Sequence, residues 1–528
     1  MDEERDRPRA GAVRWAAWVF AAVVLVALPV IMYQGREQSF FLDEWDFLAG
    51  RELASLDDLL RPHNEHWSTL PIVVYRVLYR LVGLHHYWPY QVCVVLLHLL
   101  CAVLLRVVMR RAGVDPWIAT AAASLFAFLG SGRENIEFAF QIGFTGSLAL
   151  GLAHLLLADH DGPFGRRDIV GLACGLAGLL CSGVGVTMTA IVGATVLLRR
   201  GGRMAIAHTA PLAGIFLLWF VLYGRDSYSA EHGSVSQVAS FMGNAVVNAF
   251  ARMGQVGGAG FVLGALLVAG LVLALRTPTP ERRRYAAPAG LLLGAVLFLA
   301  LVGYGRAAVD LFGQEESEAS RYVHLVSAMV LPALALSASL LGQRWRPLLA
   351  VGAAALLVGL PGNIEALRPS GSERFTLGDS TLLFLLPRLP LARKVPRDLQ
   401  PLPFSFTGVR VGWLIDAEAA GRLPDPRPVN RKLRDNGLVA LSLSQQEGKA
   451  RAGCRTVPAT SVSNLRGGQQ IVLPAGATTV RRVVGNVEQG SASYFVGGNF
   501  GPVLRVTAGP IAVRIEPATP AARARACP

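Results

Sequence analysis

A chain of 528 residues that is 52% hydrophobic and only 16% charged is not composed like a water-soluble protein, in which roughly a quarter of the residues are charged. The mean hydropathy of +0.43 comes from apolar residues gathered in long blocks, the pattern of an integral membrane protein. The net charge of +14 does not point to nucleic acid, because 19 Lys+Arg against 8 Asp+Glu, +11 of the total, lie in residues 393–528. Of the 50 basic residues only Lys394, Lys432 and Lys449 are lysines, a skew that suits coding bias better than selection for a guanidinium at each place. Such a basic region suits ordinary solubility, or attraction to anionic lipids and glycans.

Taken in chain order, residues 1–12 form a short basic N-terminus, and the first block, Trp15 to Tyr33, reads as an anchor. No small-x-small cleavage site closes it, and further spans follow. Apolar runs predict about eleven spans, at 13–33, 87–108, 117–130, 138–158, 168–183, 184–198, 205–223, 259–276, 286–303, 323–342 and 347–361. The pair around Gly183-Val184-Gly185 reads equally as one broken helix. Arginine clusters at Arg106/Arg110/Arg111, Arg166/Arg167, Arg199/Arg200/Arg203, Arg282/Arg283/Arg284 and Arg344/Arg346 fall in alternate loops, and Arg5, Arg7, Arg9 and Arg14 agree with them. Short Arg-rich loops stay cytoplasmic, so the N-terminus is expected inside. Loops 34–86, 131–137, 224–258 and 304–322, and everything after Leu360, are then expected outside. The whole is a multi-pass protein of a bacterial plasma membrane, with its spanning domain over 13–361.

Within the first long loop, Leu70 to Leu84 reads as an amphipathic helix along the interface, and Val235 to Met253 as another. Residues 362–400 read as a linker. From about Pro401 short β-like runs follow: Val409–Ile415, Leu438–Ser444, Gln470–Leu473, Thr479–Val487, Ala492–Val496, Val503–Thr507 and Ile511–Ile515. Gly, Pro and Asn separate them, and Gly509-Pro510 reads as a hairpin turn. The spacing predicts an exoplasmic β-sandwich over 401–528. Cys454 and Cys527 are the two cysteines of that region and are placed to pair. Cys93, Cys101, Cys174 and Cys181 lie in spans as small apolar residues.

Chemistry concentrates in the exoplasmic segments. Asp43-Glu44-Trp45-Asp46 puts three carboxylates just beyond the first span, a costly place unless they face water, a partner or a substrate. Polar residues from other loops share that side: His63, Glu65 and His66, then Arg133, Glu134 and Gln141, then Arg306, and Arg321 with Tyr322. A carboxylate of this kind takes the proton of an acceptor hydroxyl, while guanidinium groups hold a phosphate leaving group through charge-assisted bonds. Each residue also has a plainer reading. Asp43 and Glu44 suit a helix N-terminus. His63 and His66, one helical turn apart with Glu65 between them, suit substrate hydroxyls or interfacial solvation. A divalent metal is not favoured there because a third strong ligand is lacking in the sequence. Arg321 suits either a donor phosphate or snorkelling to the interface, and Tyr322 an interfacial anchor. Glu315, Glu316 and Glu318 read as a solvated loop, and Trp45 suits a sugar face or the interfacial belt.

On Asp43-Glu44 in the first exoplasmic loop and the multi-span layout, residues 13–360 resemble the GT-C superfamily of integral membrane glycosyltransferases, which use polyprenyl-phosphate sugars as donors. The chain is also similar to uncharacterised actinobacterial membrane proteins that carry a Glu-Asn…Gln segment, here Glu134-Asn135 and Gln141, and a Ser-Arg-Tyr motif, here Ser320 to Tyr322. The resemblance implies a helical membrane enzyme; no cofactor is assigned, and a divalent metal is not favoured. It would transfer sugar to an envelope glycan, lipid or protein acceptor by inverting chemistry, with Asp43 as general base, Glu44 second to it, and Glu134 as a second acidic site. The rival readings are a transporter or flippase for a lipid-linked glycan, and an inactive scaffold of envelope assembly. Near-absence of charge within the spans and the lack of an internal repeat favour the enzyme over a transporter.

Overall fold

The computed structural model describes residues 10–40, 42–225, 232–308, 316–368, 377–426, 429–446, 451–457, 462–485, 487–497, 501–519 and 522–528. Arg5, Arg7, Arg9 and Glu315 lie outside the described residues. Two compact units are present: Met1–Arg36, Leu60–Pro71 and Tyr90–Ser372 form one, and Glu37–Leu59, Ile72–Pro89 and Glu373–Pro528 form the other.

The first unit is helical. Among the described residues eight helices are long and apolar enough to cross a membrane: Gly11–Gln34, Trp88–Arg111, Ala139–Ala158, Gly202–Gly224, Ala259–Arg276, Arg283–Arg306, Ser320–Arg344 and Pro347–Ala366. The chain is an integral membrane protein on that ground. Three of the eleven expected spans are shorter: Pro116–Ala127 has 12 residues, Arg166–Leu179 has 14 and Val184–Arg200 has 17. Leu180 to Gly183 separates the last two, which are distinct helices rather than one broken helix. Outer helices turn apolar side chains outward, Leu25 at 73%, Leu275 at 71% and Phe261 at 81% exposure, as lipid-facing surface requires. The Ser320–Arg344 helix is instead buried along almost its whole length.

Lipid tails are as apolar as leucine, so helices in a membrane hold together by close backbone approach and buried polar bonds. Glycines mark these approaches. A Cβ on Gly290 would lie 2.2 Å from Thr195 Oγ1, and one on Gly294 2.1 Å from Ile191 Cγ1, so this four-residue glycine spacing seats Arg283–Arg306 against Val184–Arg200. A Cβ on Gly270 would lie 2.0 Å from Ser337 Cβ, which brings Ala259–Arg276 onto the central helix. The expected amphipathic helix over 235–253 is present as Val235–Gly254, capped by Ser234 and burying Phe241, Ala245, Ala249, Phe250 and Met253.

The second unit joins two pieces of the first long loop to the C-terminal region. The loop contributes a single π-helical turn, Asp46–Gly50, and most of the helix Thr69–Val82. That helix buries Ile72, Tyr75 and Tyr79, at the spacing of one helical face, while Leu81 is 74% exposed. Within the stretch 362–400, expected as a linker, helix Leu377–Leu385 and the 3-10 turn after it bury Leu383, Phe384, Leu385 and Leu386; residues 369–376 lie outside the described residues.

Two expected strands are helices. Residues 409–415 fall in helix Val411–Ala419, and 438–444 largely in Arg431–Ser442. Short β-branched runs fit either form, and here tertiary packing decides, with Trp413 stacked on Tyr79 at 5.4 Å. The second helix carried a start signal in its sequence, because Asn430 Oδ1 accepts from the Leu433 amide at 2.8 Å.

Among the described residues nine strands follow: β1 (Leu443–Gln446), β2 (Arg455–Val457), β3 (Val462–Leu465), β4 (Gln470–Val472), β5 (Gly476–Val484), β6 (Val487–Val496), β7 (Val503–Val506), β8 (Ile511–Pro517) and β9 (Ala524–Cys527). They form two antiparallel sheets, ordered β1-β7-β4-β9-β2 and β3-β8-β5-β6. β8 alternates in burial, with Ile511, Val513 and Ile515 inside, as a half-buried strand must. Gly509-Pro510 is not a hairpin turn, because β7 and β8 belong to different sheets; it carries the chain from one sheet to the other. Cys454 and Cys527 are joined by a disulfide.

Candidate active site

In the second unit the acidic tetrapeptide separates into distinct environments. Glu44 is 1% exposed, and its Oε1 accepts from Tyr75 Oη at 2.5 Å and Tyr87 Oη at 3.1 Å. A buried carboxylate satisfied by two phenols is part of the packing. Trp45 is fully buried with its ring 5.7 Å from Phe40, 6.2 Å from Phe384 and 5.9 Å from Phe406, so it stacks on no sugar. Asp46 is paired with buried Arg51, Nε to Oδ2 at 2.9 Å. Asp43 sits in the turn before this segment and is the one carboxylate of the three that is not buried. The turn closes through the Asp46 amide, which donates to Asp43 O at 3.1 Å.

In the first unit most of the remaining candidates converge. His63 and His66 do not lie on a helix. Each donates its amide to the other's carbonyl at 3.0 Å, across a tight turn in which Asn64 takes φ 50°, a left-handed conformation that asparagine tolerates. The turn points Glu65 at Arg306, Oε2 to Nη2 at 3.0 Å. The rings of His63 and His66 pack edge-on to Phe140 and Phe144 at 5.5 and 5.3 Å. Burial, then the charges of Arg306, His63 and Arg321, lower the pKa of His66 to about 4, so it is neutral at pH 7.

Arg321, at the first turn of Ser320–Arg344, is held between two carboxylates. Its Nη1 lies 3.1 Å from Glu134 Oε1, and its Nη2 bonds Glu316. Gln141 donates to Glu134 Oε1 at 3.1 Å. Tyr322 is 5% exposed with its ring against Phe241 and Phe298, an interior residue rather than an interfacial anchor. Arg133 directs Nη1 to the Arg368 carbonyl at 3.3 Å. Glu65, His66, Glu134, Gln141, Arg306 and Arg321 thus form one charged cluster, while Asp43 and Glu44 belong to the other unit.

Glu316 was read from the sequence as loop solvation, and nothing in its local pattern distinguished it from Glu318. Its place became visible only with the 3-10 turn Glu316–Glu318 beside Arg321. Among the described residues no group of three or more His, Cys, Asp or Glu is arranged to hold a metal ion.

No family model matches the chain, and no curated protein matches it. Among solved structures it is similar to ArnT from Cupriavidus metallidurans. The apo form has 15% identity and a TM-score of 0.44, covering 80% of this chain and 91% of that one. The form bound to undecaprenyl phosphate has 17% identity and a TM-score of 0.45, covering 78% and 90%. At these values the likeness has no weight for chemistry, which rests on the chain's own residues.

Proposed function

We propose that this protein transfers a sugar from a polyprenyl-phosphate donor to an envelope glycan, lipid or protein acceptor at the exoplasmic face of a bacterial plasma membrane. The observation that carries the reading is the division of labour in the tetrapeptide: Glu44 and Asp46 are buried in structural bonds, and Asp43 is not buried. Asp43 then serves as general base. Its carboxylate removes the acceptor hydroxyl proton as that oxygen attacks the anomeric carbon, and the bond from that carbon to the phosphate oxygen breaks on the opposite face. The configuration inverts, and polyprenyl phosphate leaves with the electron pair. Arg321, with Arg306 and Arg133, would meet the charge growing on the phosphate.

The ion pairs of Arg321 and Arg306 support this assignment in one respect. Each guanidinium already holds carboxylates, Glu134 and Glu316 on one and Glu65 on the other, so an anionic ligand is matched to these places. A phosphate would take the position of one carboxylate rather than add a third. Neutral His66 keeps one ring N–H with which to donate a hydrogen bond to a sugar or phosphate oxygen. The strand region, which lacks a clustered acid or histidine set among its described residues, serves to bind the acceptor.

A membrane transfer assay with labelled polyprenyl-phospho-sugars, comparing wild type with Asp43→Asn, tests the reading. Loss of the general base should lower the rate about 10²–10⁴-fold. Equal transfer by both proteins would remove Asp43 from the mechanism. If wild type consumes no donor from a panel of sugars, the transporter or scaffold reading takes its place.

A further inference from the structure

Three fully buried polar residues, His98, Asn135 and His324, stand beside the Arg321 cluster and take no part in the chemistry above. Polar side chains inside a membrane bundle are expensive and are usually functional. Their hydrogen bonds have only one consistent direction. His98 Nε2 lies 3.1 Å from the Ala127 carbonyl, which can only accept, so Nε2 carries the proton. In the neutral ring Nδ1 is then an acceptor, and His324 Nε2, 3.0 Å away, must donate to it. His324 Nδ1 is left as an acceptor facing Asn135 Nδ2 at 3.4 Å. The same Nδ2 donates its second proton to the Arg321 carbonyl at 3.0 Å. Reversing the asparagine amide would set its oxygen against that carbonyl, and adding a proton to either ring would set donor against donor.

The chain starts in Trp88–Arg111, crosses to the buried helix Ser320–Arg344 and ends at the residues that hold Arg321. The contacts around it are equally fixed. Thr145 Oγ1 donates to the Asn135 carbonyl at 2.8 Å, the Glu134 amide donates to Ser320 Oγ at 3.2 Å, and a Cβ on Gly132 would lie 2.7 Å from His324 Cβ. Leucine-rich helix surfaces in lipid specify register weakly. Sliding a helix by one residue moves it about 1.5 Å and turns it about 100°. Such a slip of Ser320–Arg344 would break three of the four bonds in the chain, those made by His324 and by the Arg321 carbonyl, which is the setting in which buried polar groups fix registry.

We propose that Asn135, His324 and His98 are positioning residues: a one-way hydrogen-bond chain that sets the register of Ser320–Arg344 and so aims Arg321 at the donor phosphate. This rests on the phosphate-binding role given to Arg321 above.

The test uses the full chain in lipid nanodiscs and has an arm that needs no transfer activity. Nitrogen-15 spectra of wild type should show the Nε2–H tautomer at both His98 and His324, and resolved Nη signals for Arg321, assigned by their loss in Arg321→Lys. Asn135→Leu is close in size and has no donor at any pH, so the Arg321 Nη signals should merge and the donor KM rise about tenfold with kcat nearly unchanged, the loss of one buried bond's worth of ground-state binding. A residue that only packs would lower the melting temperature and leave both readouts alone. An Nδ1–H tautomer at either histidine, or unchanged Nη signals in Asn135→Leu, overturns the proposal. Absence of transfer by wild type alongside the expected spectra would instead overturn the glycosyltransferase reading and leave the chain standing.

Discussion

Neighbouring carboxylates in the tetrapeptide differ by where their oxygens point, and substitution should separate them cleanly. Glu44→Ala strands two buried phenols, and an unsatisfied buried group costs about 1–3 kcal/mol, so thermal unfolding should move markedly downward. Asp43→Asn should leave unfolding nearly where it is while removing transfer. An equal fall in stability for both would show that Asp43 is structural too. At His66 the folded-state pKa of about 4 lies below the ordinary 6.5. The unfolded chain therefore takes up this proton first as pH falls, and the stability His66 contributes is complete above about 6.5 and lost on the way down to about 4. Arg306→Gln removes a charge that lowers this pKa and releases Glu65, and both changes raise the value. A histidine titration followed by NMR that stays at about 4 would show that the Arg306–Glu65 pair does not set it.

Among the elements, helix positions were legible wherever apolar length was decisive, and the glycine contacts that join helices were not. Gly270 and Gly264 look alike in sequence on one helix, yet a Cβ on Gly270 would strike Ser337 while one on Gly264 meets nothing within 4 Å. Gly270→Ala should then cost about 1–3 kcal/mol through overpacking, whereas Gly264→Ala should be neutral or slightly stabilising through helix propensity. Unfolding in detergent compares them directly, and equal effects would mean that the helices part easily at this point. Misreading of 409–415 and 438–444 as strands has the same origin. Alternation over seven residues cannot separate a half-buried strand from one face of a short helix, and only the Asn430 cap spoke for the helix.

For the molecule as a whole, the disulfide closes a span of 73 residues within the second unit. A loop of that size restricts the unfolded chain by about 4 kcal/mol, so Cys454→Ser together with Cys527→Ser should lower the unfolding temperature of the full chain, and reduction of wild type should reproduce the shift. No change on reduction would mean that the strand region is held by its sheets alone. The inside position of the N-terminus is an expectation from arginine counts, and a cysteine introduced at Ser234 should react with an impermeant thiol reagent applied from outside. Protection there would reverse the orientation and put the cluster around Arg321 on the cytoplasmic side.

Composition and apolar length alone determined that this is a many-spanning membrane protein with a distinct strand-bearing C-terminal region. Lipid imposes that reading, because a long uncharged run has few other places to go. The residue types around the candidate site were legible for a related reason: charge beside a bilayer is costly and stands out. Tertiary structure alone decided what each charge does. Whether a carboxylate is a base or a packing element depends on which side chains approach within about 3 Å. Those approaches, Tyr75 and Tyr87 on Glu44, Glu316 on Arg321, Asn135 on the Arg321 carbonyl, are made by residues 5 to 186 positions apart in the chain.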